Sequence, residues 1–266
     1  MAKCVGRLVL AAVVVVGSAA GAGAQEGDKL FVPTSGQPGK DVVWVPSPPE
    51  TVEKMMEVGQ VTPQDFVIDL GSGDGRNVIA AAKRGARGLG VEFNQDMVDL
   101  SKRLATAAGV ADRAQFVQGD MFAADFSKAT VLALFLLPNN LVQLRDKIFN
   151  LPPGTRVVLN TFGIQDWTPD EQVTIENCSS WCTVMLNIVP AKVAGTWRLS
   201  QGGELTLAQE YQMVAGTVKT ADGKSLPLNG RLRGNELTVT FGGQEYKARV
   251  DGNTISSATL SATRVN

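Results

Sequence analysis

The stretch DFVIDLGSGDGRNVIAAAKRG, from Asp65 to Gly85, restricts the fold more than any other. It places three glycines at alternate positions, Gly71, Gly73 and Gly75, between a short apolar run and a segment with helical spacing. A strand that passes through glycines into a helix brings backbone N–H groups close to a ligand. A P-loop is excluded, because no Lys-Ser or Lys-Thr pair follows the glycines. The stretch predicts a nucleotide-type ligand site; the alternative is a set of glycines that serve only the turn.

Apolar strands and amphipathic helices alternate on both sides of this loop. The run TVLALFLL at 130–137 is apolar on both faces, as expected of a central parallel strand. Short connections between alternating strands and helices predict an α/β domain on a mostly parallel sheet. The predicted strands cover 66–70, 88–93, 114–120, 130–137 and 155–162, and the predicted helices cover 77–84, 95–108 and 139–149.

The C-terminal part, 194–266, has a different pattern of short, Thr-rich segments with alternating apolar residues. Gly-Gly, Asp-Gly and Asn-Gly pairs separate these segments at a spacing of roughly ten residues, which is typical of antiparallel hairpins. We therefore expect a small all-β domain, a barrel or a sandwich. Its sequence indicates that it folds and does not indicate what it does.

The N-terminus has the pattern of a secretory signal over 1–24. Lys3 and Arg7 precede the apolar run LVLAAVVVV at 8–16, and an Ala-Gly-Ala cleavage site at 22–24 stands before Gln25. The run is shorter than the ~20 residues that span a membrane, so an uncleaved anchor is the weaker alternative. We expect a cleaved, exported protein, periplasmic or extracellular, with a flexible segment over 25–41 and no stable membrane span.

Two cysteines, Cys178 and Cys182, remain after cleavage. Four residues apart, they can be bridged in a helical turn or a tight loop, and an oxidising compartment favours the disulfide. The alternative is two separately buried thiols. The chain has no histidine, which excludes Ser-His-Asp and Cys-His nucleophiles and leaves no recognisable metal site. The net charge of −1 gives little attraction for nucleic acid, and none is expected as a partner.

Three carboxylates follow successive strands of the predicted sheet. Asp69, Glu92 and Asp120 lie at or near the strands' carboxyl ends, which meet at one edge of a parallel sheet. Glu92 is placed to accept from ribose hydroxyls and Asp120 from the amine of adenine. Phe93 and Phe122 follow them and can cover the faces of the ring. The alternatives are a surface acid for Glu92 and a turn cap for Asp120.

These motifs, DLGSGDGR, GVEFN and GDMF, resemble those of the class I, seven-strand S-adenosylmethionine (SAM) methyltransferases. The resemblance implies a Rossmann-like, mostly parallel seven-strand sheet and SAM as the cofactor. It also implies that the glycine loop meets the methionine end of SAM, with Asp69 ordering the loop. The implied cofactor-binding residues are Pro46, Ser47, Asp69, Gly71, Ser72, Gly73, Gly75, Glu92, Phe93, Asp120, Met121 and Phe122.

The segments VPSPPETVEKMM and LFLLPNN are similar to those of a lysine methyltransferase group that includes the mitochondrial enzymes modifying the c-subunit of ATP synthase. This narrower resemblance implies a methyltransferase domain over 42–193, Pro46 and Ser47 near SAM, and Asn139 or Asn140 near the transferred methyl. A turn before a helix is the alternative role for the two asparagines. The implied function is N-methylation of a protein lysine or another amine. The alternatives are a non-catalytic binding or interaction protein of the envelope and an aminopropyl-type transferase.

Overall fold

The computed structural model describes Met1, Ala2 and the chain from Phe31 to Val265. The predicted signal segment, apart from its first two residues, and the beginning of the flexible segment therefore lie outside the described residues. From Phe31 onward the chain forms one compact unit. Among the described residues, no helix has the length and hydropathy required to cross a membrane.

The first sheet has seven strands in the order β3-β2-β1-β4-β5-β7-β6. β1 to β5 run parallel, and β7 lies antiparallel between β5 and β6. This arrangement confirms the predicted Rossmann-like sheet. The strands are β1 (Phe66–Leu70), β2 (Arg87–Glu92), β3 (Ala114–Gln118), β4 (Val131–Leu134), β5 (Arg156–Asn160), β6 (Glu171–Thr174) and β7 (Thr183–Ile188).

Helices cover both faces of this sheet. They are α1 (Pro49–Val58), α2 (Arg76–Lys83), α3 (Gln95–Ala107) and α4 (Pro138–Phe149). Alternate residues of each strand point to opposite faces. Val67 of β1 accordingly packs with Met55 of α1 on one side, and its neighbour Ile68 packs with Leu141 of α4 on the other. The continuous apolar runs of the central strands are explained by this burial on both faces.

The fourth predicted strand is longer than the observed one. The prediction covers 130–137, whereas β4 ends at Leu134 and Pro138 begins α4. Proline fixes a φ that suits the first turn of a helix and also restricts the residue before it, so the chain leaves the sheet before the proline. The apolar residues after β4 line a cavity instead of continuing the strand.

The C-terminal strands form a closed eight-stranded antiparallel barrel. Closure comes from the last strand, which pairs Ala262 with Leu199 of the first, so the structure selects the barrel of the two predicted alternatives. Trp197 is fully buried in the barrel core, and its Nε1 donates to the carbonyl of Val193 at 2.8 Å. The strands are β8 (Gly195–Leu199), β9 (Gly203–Glu210), β10 (Met213–Thr220), β11 (Ser225–Arg233), β12 (Glu236–Phe241), β13 (Gln244–Asp251), β14 (Thr254–Ser256) and β15 (Ser261–Arg264).

Aromatic and ionic contacts join the barrel to the sheet. The ring of Tyr211 stacks on buried Trp167, with the centroids 5.3 Å apart, and both rings meet Phe149 of α4 edge-on. Asp170, whose side chain is fully buried, accepts from Arg231 of β11 and from the backbone N–H of Ile188, each at 2.7 Å. The predicted boundary at 193/194 lies between the end of β7 and the start of β8.

Candidate active site

The glycine loop follows β1 and has left-handed backbone at each glycine. The φ angles of Gly71, Gly73 and Gly75 are 72°, 54° and 80°. The backbone N–H groups of Gly71 and Ser72 donate to the carbonyl of Val91 at 2.8 and 3.1 Å, which ties the loop to β2. Residues with a Cβ rarely adopt such φ values, so the conformation requires glycine. The result is a backbone cradle open toward the carboxyl edge of the sheet.

Glu92, at the end of β2, fastens this cradle to the next helix. Its carboxylate accepts from the backbone N–H of Gly73 at 2.9 Å and from that of Asn94 at 3.0 Å. Asn94 in turn caps α3 by accepting from the N–H of Asp96 at 2.9 Å. A carboxylate offers about four lone-pair positions, so two remain for donors such as the hydroxyls of a ribose.

Asp69 lies beneath the loop and is only 3% exposed. It accepts a hydrogen bond from Asn77 Nδ2 at 3.0 Å. Burial raises the pKa of the Asp69 carboxyl well above its ordinary value; the Asn77 bond opposes this, and the nearby charges of Glu92 and Asp74 add to it. The ionised form of this carboxyl is therefore disfavoured, and its expected role in ordering the loop stays a prediction.

Asp120 follows β3 at the far end of the site. Its carboxylate contacts Lys40 Nζ at 2.5 Å and accepts from the N–H of Phe122 at 2.9 Å. The hydrogen bond with Lys40 lowers the pKa of Asp120 and raises the pKa of Lys40. Lys40 Nζ also lies 5.3 Å from the centroid of the Phe93 ring.

Residues 37–47, here called the strap, return across the loop from the N-terminal side. A Cβ at Gly73 would lie 2.5 Å from Nε1 of Trp44, so the indole packs directly on the glycine. Arg76 joins the two segments: its guanidinium pairs with Asp74 and donates to the carbonyl of Ser47. The strap therefore covers the cradle and restricts its access to water.

The loop, the carboxylates and the strap enclose a cavity of about 230 Å³. Ten of the twelve residues expected to bind the cofactor line it: Pro46, Ser47, Asp69, Gly71, Ser72, Gly73, Glu92, Phe93, Asp120 and Met121. The parallel, neighbouring strands of the sheet bring together those from Asp69 onward, whereas Pro46 and Ser47 come from the strap.

Four of the predicted site residues do not line the cavity. Gly75 is the N-cap of α2 and packs on Phe116, where an added Cβ would lie 2.5 Å from the ring. Phe122 is half-buried beside the core cluster, and its backbone N–H donates a hydrogen bond to the carboxylate of Asp120. Asn139 and Asn140 lie in the first turn of α4, the former exposed and the latter 5% exposed. Their place near the transferred methyl stays a prediction.

Three aromatic side chains that the sequence did not assign to the site form one end of the cavity. Phe135 and Phe162 follow β4 and β5, and Trp181 comes from the loop before β7. The Phe135 centroid lies 5.3 Å from that of Trp181 and 6.3 Å from that of Phe162, and Phe162 lies 6.1 Å from Trp181. The sequence contains one hint, the Trp in NCSSWC, which stands between two cysteines.

The predicted bridge between Cys178 and Cys182 is confirmed. The two Cα atoms are 5.7 Å apart, and the residues lie in the loop between β6 and β7. Asn177 and Trp181 have a positive φ of 56°, which gives this loop its tight turns. Of the two predicted geometries, a helical turn or a tight loop, the second is observed.

The cavity matches the chemistry of SAM. Ser72 lines it, but its Oγ is buried and lies 2.6 Å from where a Cβ at Gly90 of β2 would be, so the fit rests on Glu92, whose carboxylate keeps lone pairs for the hydroxyls of a ribose. Position 73 has room for glycine only, because a Cβ there would meet the indole of Trp44. Glu92 and Asp120 both line it, at the end of β2 and after the neighbouring β3, and their roles toward ribose and adenine stay predictions.

A family model described as the ANTKMT methyltransferase domain matches residues 69–171. A protein-lysine N-methyltransferase of Saccharolobus islandicus (strain REY15A) is 39% identical over 151 residues, which cover 56% of this chain and 94% of that protein. The chain belongs to the ANTKMT methyltransferase family. It is a SAM-dependent methyltransferase, and SAM is its cofactor.

Other members of known structure or activity extend this assignment. A Salinibacter ruber protein, described as an RNA methyltransferase and crystallised with S-adenosyl-L-homocysteine, is 44% identical with a TM-score of 0.53; the match covers 56% of this chain and 96% of that one. The lysine N-methyltransferase of Rattus norvegicus that is named for the c-subunit of ATP synthase is 36% identical over 128 residues, 48% of this chain and 59% of that enzyme. The ANTKMT-type match ends before the disulfide loop and the barrel. These relatives do not favour a binding protein or an aminopropyl transferase.

Proposed function

We propose that this methyltransferase acts on an amine, in the first place the ε-amine of a lysine in a protein. The observation that carries the proposal is the lining of the cavity, which contains Glu92 together with the rings of Phe135, Phe162 and Trp181. A long apolar side chain that ends in a nitrogen suits such a lining. Two of the relatives support the same acceptor, because they are described as lysine N-methyltransferases.

For methyl transfer to an amine, the protein has to position the two reactants and remove the amine from water. Bound SAM supplies an electrophilic methyl group on a sulfonium. The chain has to hold the amine in line with that methyl at about 3 Å. A lysine amine has an ordinary pKa of about 10.4, so it must lose a proton before it can attack. Removal of the amine from water lowers this pKa, and the proton passes to solvent before the amine attacks. A chain without histidine can perform this reaction.

RNA is the second candidate acceptor, because the Salinibacter ruber relative is described as an RNA methyltransferase. Binding to RNA depends strongly on the neutralisation of phosphates by lysine and arginine. The chain has 25 such residues against 26 acidic ones. This balance favours a protein acceptor over RNA.

We propose further that the enzyme is exported and that its acceptor is a protein of the cell envelope. The signal-like N-terminus supports this location, and so does the Cys178–Cys182 bridge, because cytosolic thiols are kept reduced. Fractionation followed by N-terminal sequencing tests the location. We expect a mature chain that begins at Gln25, outside the cytoplasm. A chain that begins at Met1 and remains with the cytosolic fraction would contradict the proposal.

The acceptor is tested with SAM carrying a radioactive methyl group. Envelope proteins, cytosolic proteins and total RNA are each incubated with the purified enzyme, and the labelled fraction is then treated with protease or ribonuclease. We expect protease-sensitive label in envelope proteins and methylated lysine by mass spectrometry. Glu92→Ala is the inactive control, and Glu236→Gln, an exposed acid of the barrel, is the matched active one. Label that only ribonuclease removes would replace the protein acceptor with RNA.

A further inference from the structure

Trp181 is held in an unusual way at the aromatic end of the cavity. Its backbone has a φ of 56°, a left-handed conformation that is costly for a bulky residue. The Cys178–Cys182 bond closes a short loop in which Trp181 is the residue directly before Cys182. Its carbonyl also accepts from Thr51 Oγ1 of α1 at 3.0 Å. Strain at a residue fixed from two sides is a mark of a functional position.

The indole is one of three rings that remain accessible. Phe135, Phe162 and Trp181 are each half-buried and line the cavity, whereas Phe126 and Trp167 of the adjoining core are 1% exposed. Phe122 is also half-buried but does not line the cavity, so the position of the three rings in the cavity wall, and not their partial exposure alone, distinguishes them. The three rings lie with centroids 5.3 to 6.3 Å apart, and their planes differ by 14° to 60°.

Rings grouped in this way have a chemical preference. The face of an aromatic ring attracts a cation, and a group of rings recognises alkylated ammonium groups, which are large, charged and weakly hydrated. A methylated amine stays cationic as methyl groups accumulate. The aromatic end of the cavity is therefore suited to hold an amine after one or more methyl groups have been transferred.

We propose that Phe135, Phe162 and Trp181 form a subsite for the alkylammonium group of the acceptor, and that the Cys178–Cys182 disulfide sets its affinity by fixing Trp181. The proposal rests on the function proposed above and adds the recognition element of that site. In the part of the chain that the structure describes, the hydrogen-bond partners of Glu92 and the nearest neighbours of Gly73 do not come from the disulfide loop, so we expect reduction to act on acceptor binding and to leave SAM binding in place. Both cysteines lie outside the residues that the family model matches.

The test measures binding and needs no protein acceptor. The probe is Nα-acetyl-Nε-trimethyllysine methylamide, titrated calorimetrically into the full chain with S-adenosyl-L-homocysteine present. Its neutral isostere, with carbon in place of the ammonium nitrogen, is the matched ligand. We expect the cation to bind better than the isostere, and Trp181→Ala to weaken the cation by about 2- to 30-fold. Trp181→Phe keeps an aromatic face and is expected to retain most of the affinity.

The role of the disulfide is tested in a Cys4→Ser background, where Cys178 and Cys182 are the remaining cysteines. We expect a reductant to weaken binding of the cation and to leave the affinity for S-adenosyl-L-homocysteine near its original value. Cys178→Ser with Cys182→Ser should bind the cation as weakly as the reduced chain and should not respond to reductant. Cation binding that is unchanged by reduction would overturn the role of the bridge.

Two other outcomes would overturn the subsite itself. One is equal affinity for the cation and the isostere, and the other is a Trp181→Ala variant that loses S-adenosyl-L-homocysteine together with the probe. These results are separate from those for the proposed function. If the chain selects the cation but labels no protein, the subsite is supported and the proposed protein acceptor is contradicted. If the chain labels lysine but does not select the cation, the protein acceptor is supported and the subsite is contradicted.

Discussion

Lys40 Nζ lies 2.5 Å from Oδ2 of Asp120 and 5.3 Å from the centroid of the Phe93 ring. The sequence assigns Asp120 and Phe93 to the adenine of the cofactor, so a side chain of the strap covers that position. An exocyclic amine and the Lys40 ammonium are both donors, and they would compete for the same carboxylate. The strap is consequently both a cover for the cavity and a competitor at its adenine end.

Lys40→Met tests this competition. The substitution removes the ammonium and keeps an apolar stem, so SAM should bind somewhat more tightly. The gain should be no more than about five-fold, since exposed ion pairs contribute little, and it should shrink as salt is added. Calorimetry at low and high salt measures it, with Asp120→Asn expected to weaken binding instead. A Lys40→Met variant that loses most of its affinity would mean that Lys40 binds the cofactor directly.

Glu92→Gln should reduce SAM affinity by roughly 10- to 100-fold, because a hydrogen bond to a charged group is worth about 1.5–3 kcal/mol. The amide has one acceptor oxygen, so it cannot hold both Gly73 and Asn94 as the carboxylate does. Equilibrium dialysis with labelled SAM measures the loss. The exposed Glu236→Gln serves as the control for loss of one negative charge. Equal SAM affinities in the two variants would show that Glu92 does not contribute to SAM binding.

Asp69→Asn should stabilise the fold and weaken SAM binding together. The folded-state pKa of Asp69 is raised by burial, so its stabilising contribution is present below the unfolded pKa of about 3.9 and is lost as the pH rises through the folded pKa. Glu92 and Asp74 are the charged neighbours that raise it further. The neutral amide avoids this loss, and its NH₂ group can donate to a buried acceptor such as Asn77 Oδ1, which has no partner among the described residues.

Calorimetric melting at about pH 4 and pH 7 measures the effect of Asp69→Asn. The variant should exceed the wild type in Tm at the higher pH, by about 2–4 °C for each kcal/mol recovered, and approach it at the lower pH. Exposed Asp251→Asn is the control and should change Tm little at either pH. A variant that is less stable at neutral pH would show that the Asp69 charge is needed by the fold.

Gly73→Ala should displace the strap and reduce SAM affinity by more than about ten-fold, an estimate that assumes the loss of at least one charge-assisted hydrogen bond. The new Cβ would lie 2.5 Å from Trp44 Nε1. Gly109→Ala is a matched control, because Gly109 has a φ of 71° and nothing within 4 Å of an added Cβ. Both variants carry the same backbone strain, and only the first meets a neighbour. Equal SAM affinity in the two would mean that the Trp44 contact has no part in binding.

Asp170→Ala should destabilise the protein by about 2–4 kcal/mol, because it leaves the buried N–H of Ile188 and one side of Arg231 without a partner. The contact joins the sheet to the barrel, so the denaturant unfolding curve should also become less cooperative. Exposed Asp251→Ala provides the comparison. A midpoint unchanged from the wild type would show that the aromatic contacts of Tyr211 hold the junction without the ion pair.

Most of the cofactor end of the site was predictable from local patterns. Asp69, Glu92 and Asp120 were found because each lies at or near the end of a strand with a recognisable apolar run, and parallel strands bring their carboxyl ends together. The last strands of the sheet were not placed individually. β6 is mostly exposed and has no apolar alternation, and β7 is a buried run that resembles a helix segment as well as a strand.

The acceptor end could not be predicted in the same way. Phe135, Phe162 and Trp181 come from three loops, and nothing in the residues around each one indicates that the rings meet. Lys40 and Asp120 are 80 positions apart and exposed, so neither hydrophobic periodicity nor a turn pattern in the sequence predicts that they pair.

Local patterns therefore established the α/β sheet, the glycine cradle and its carboxylates, and an all-β C-terminal part. Tertiary packing established the covering strap, the aromatic end of the cavity and the closure of the barrel by β15 and β8. The physical reason is the separation in sequence between the residues that interact. Periodicity, caps and turn glycines express the preferences of residues a few positions apart. Contacts between distant segments depend instead on how whole elements pack once those preferences are met.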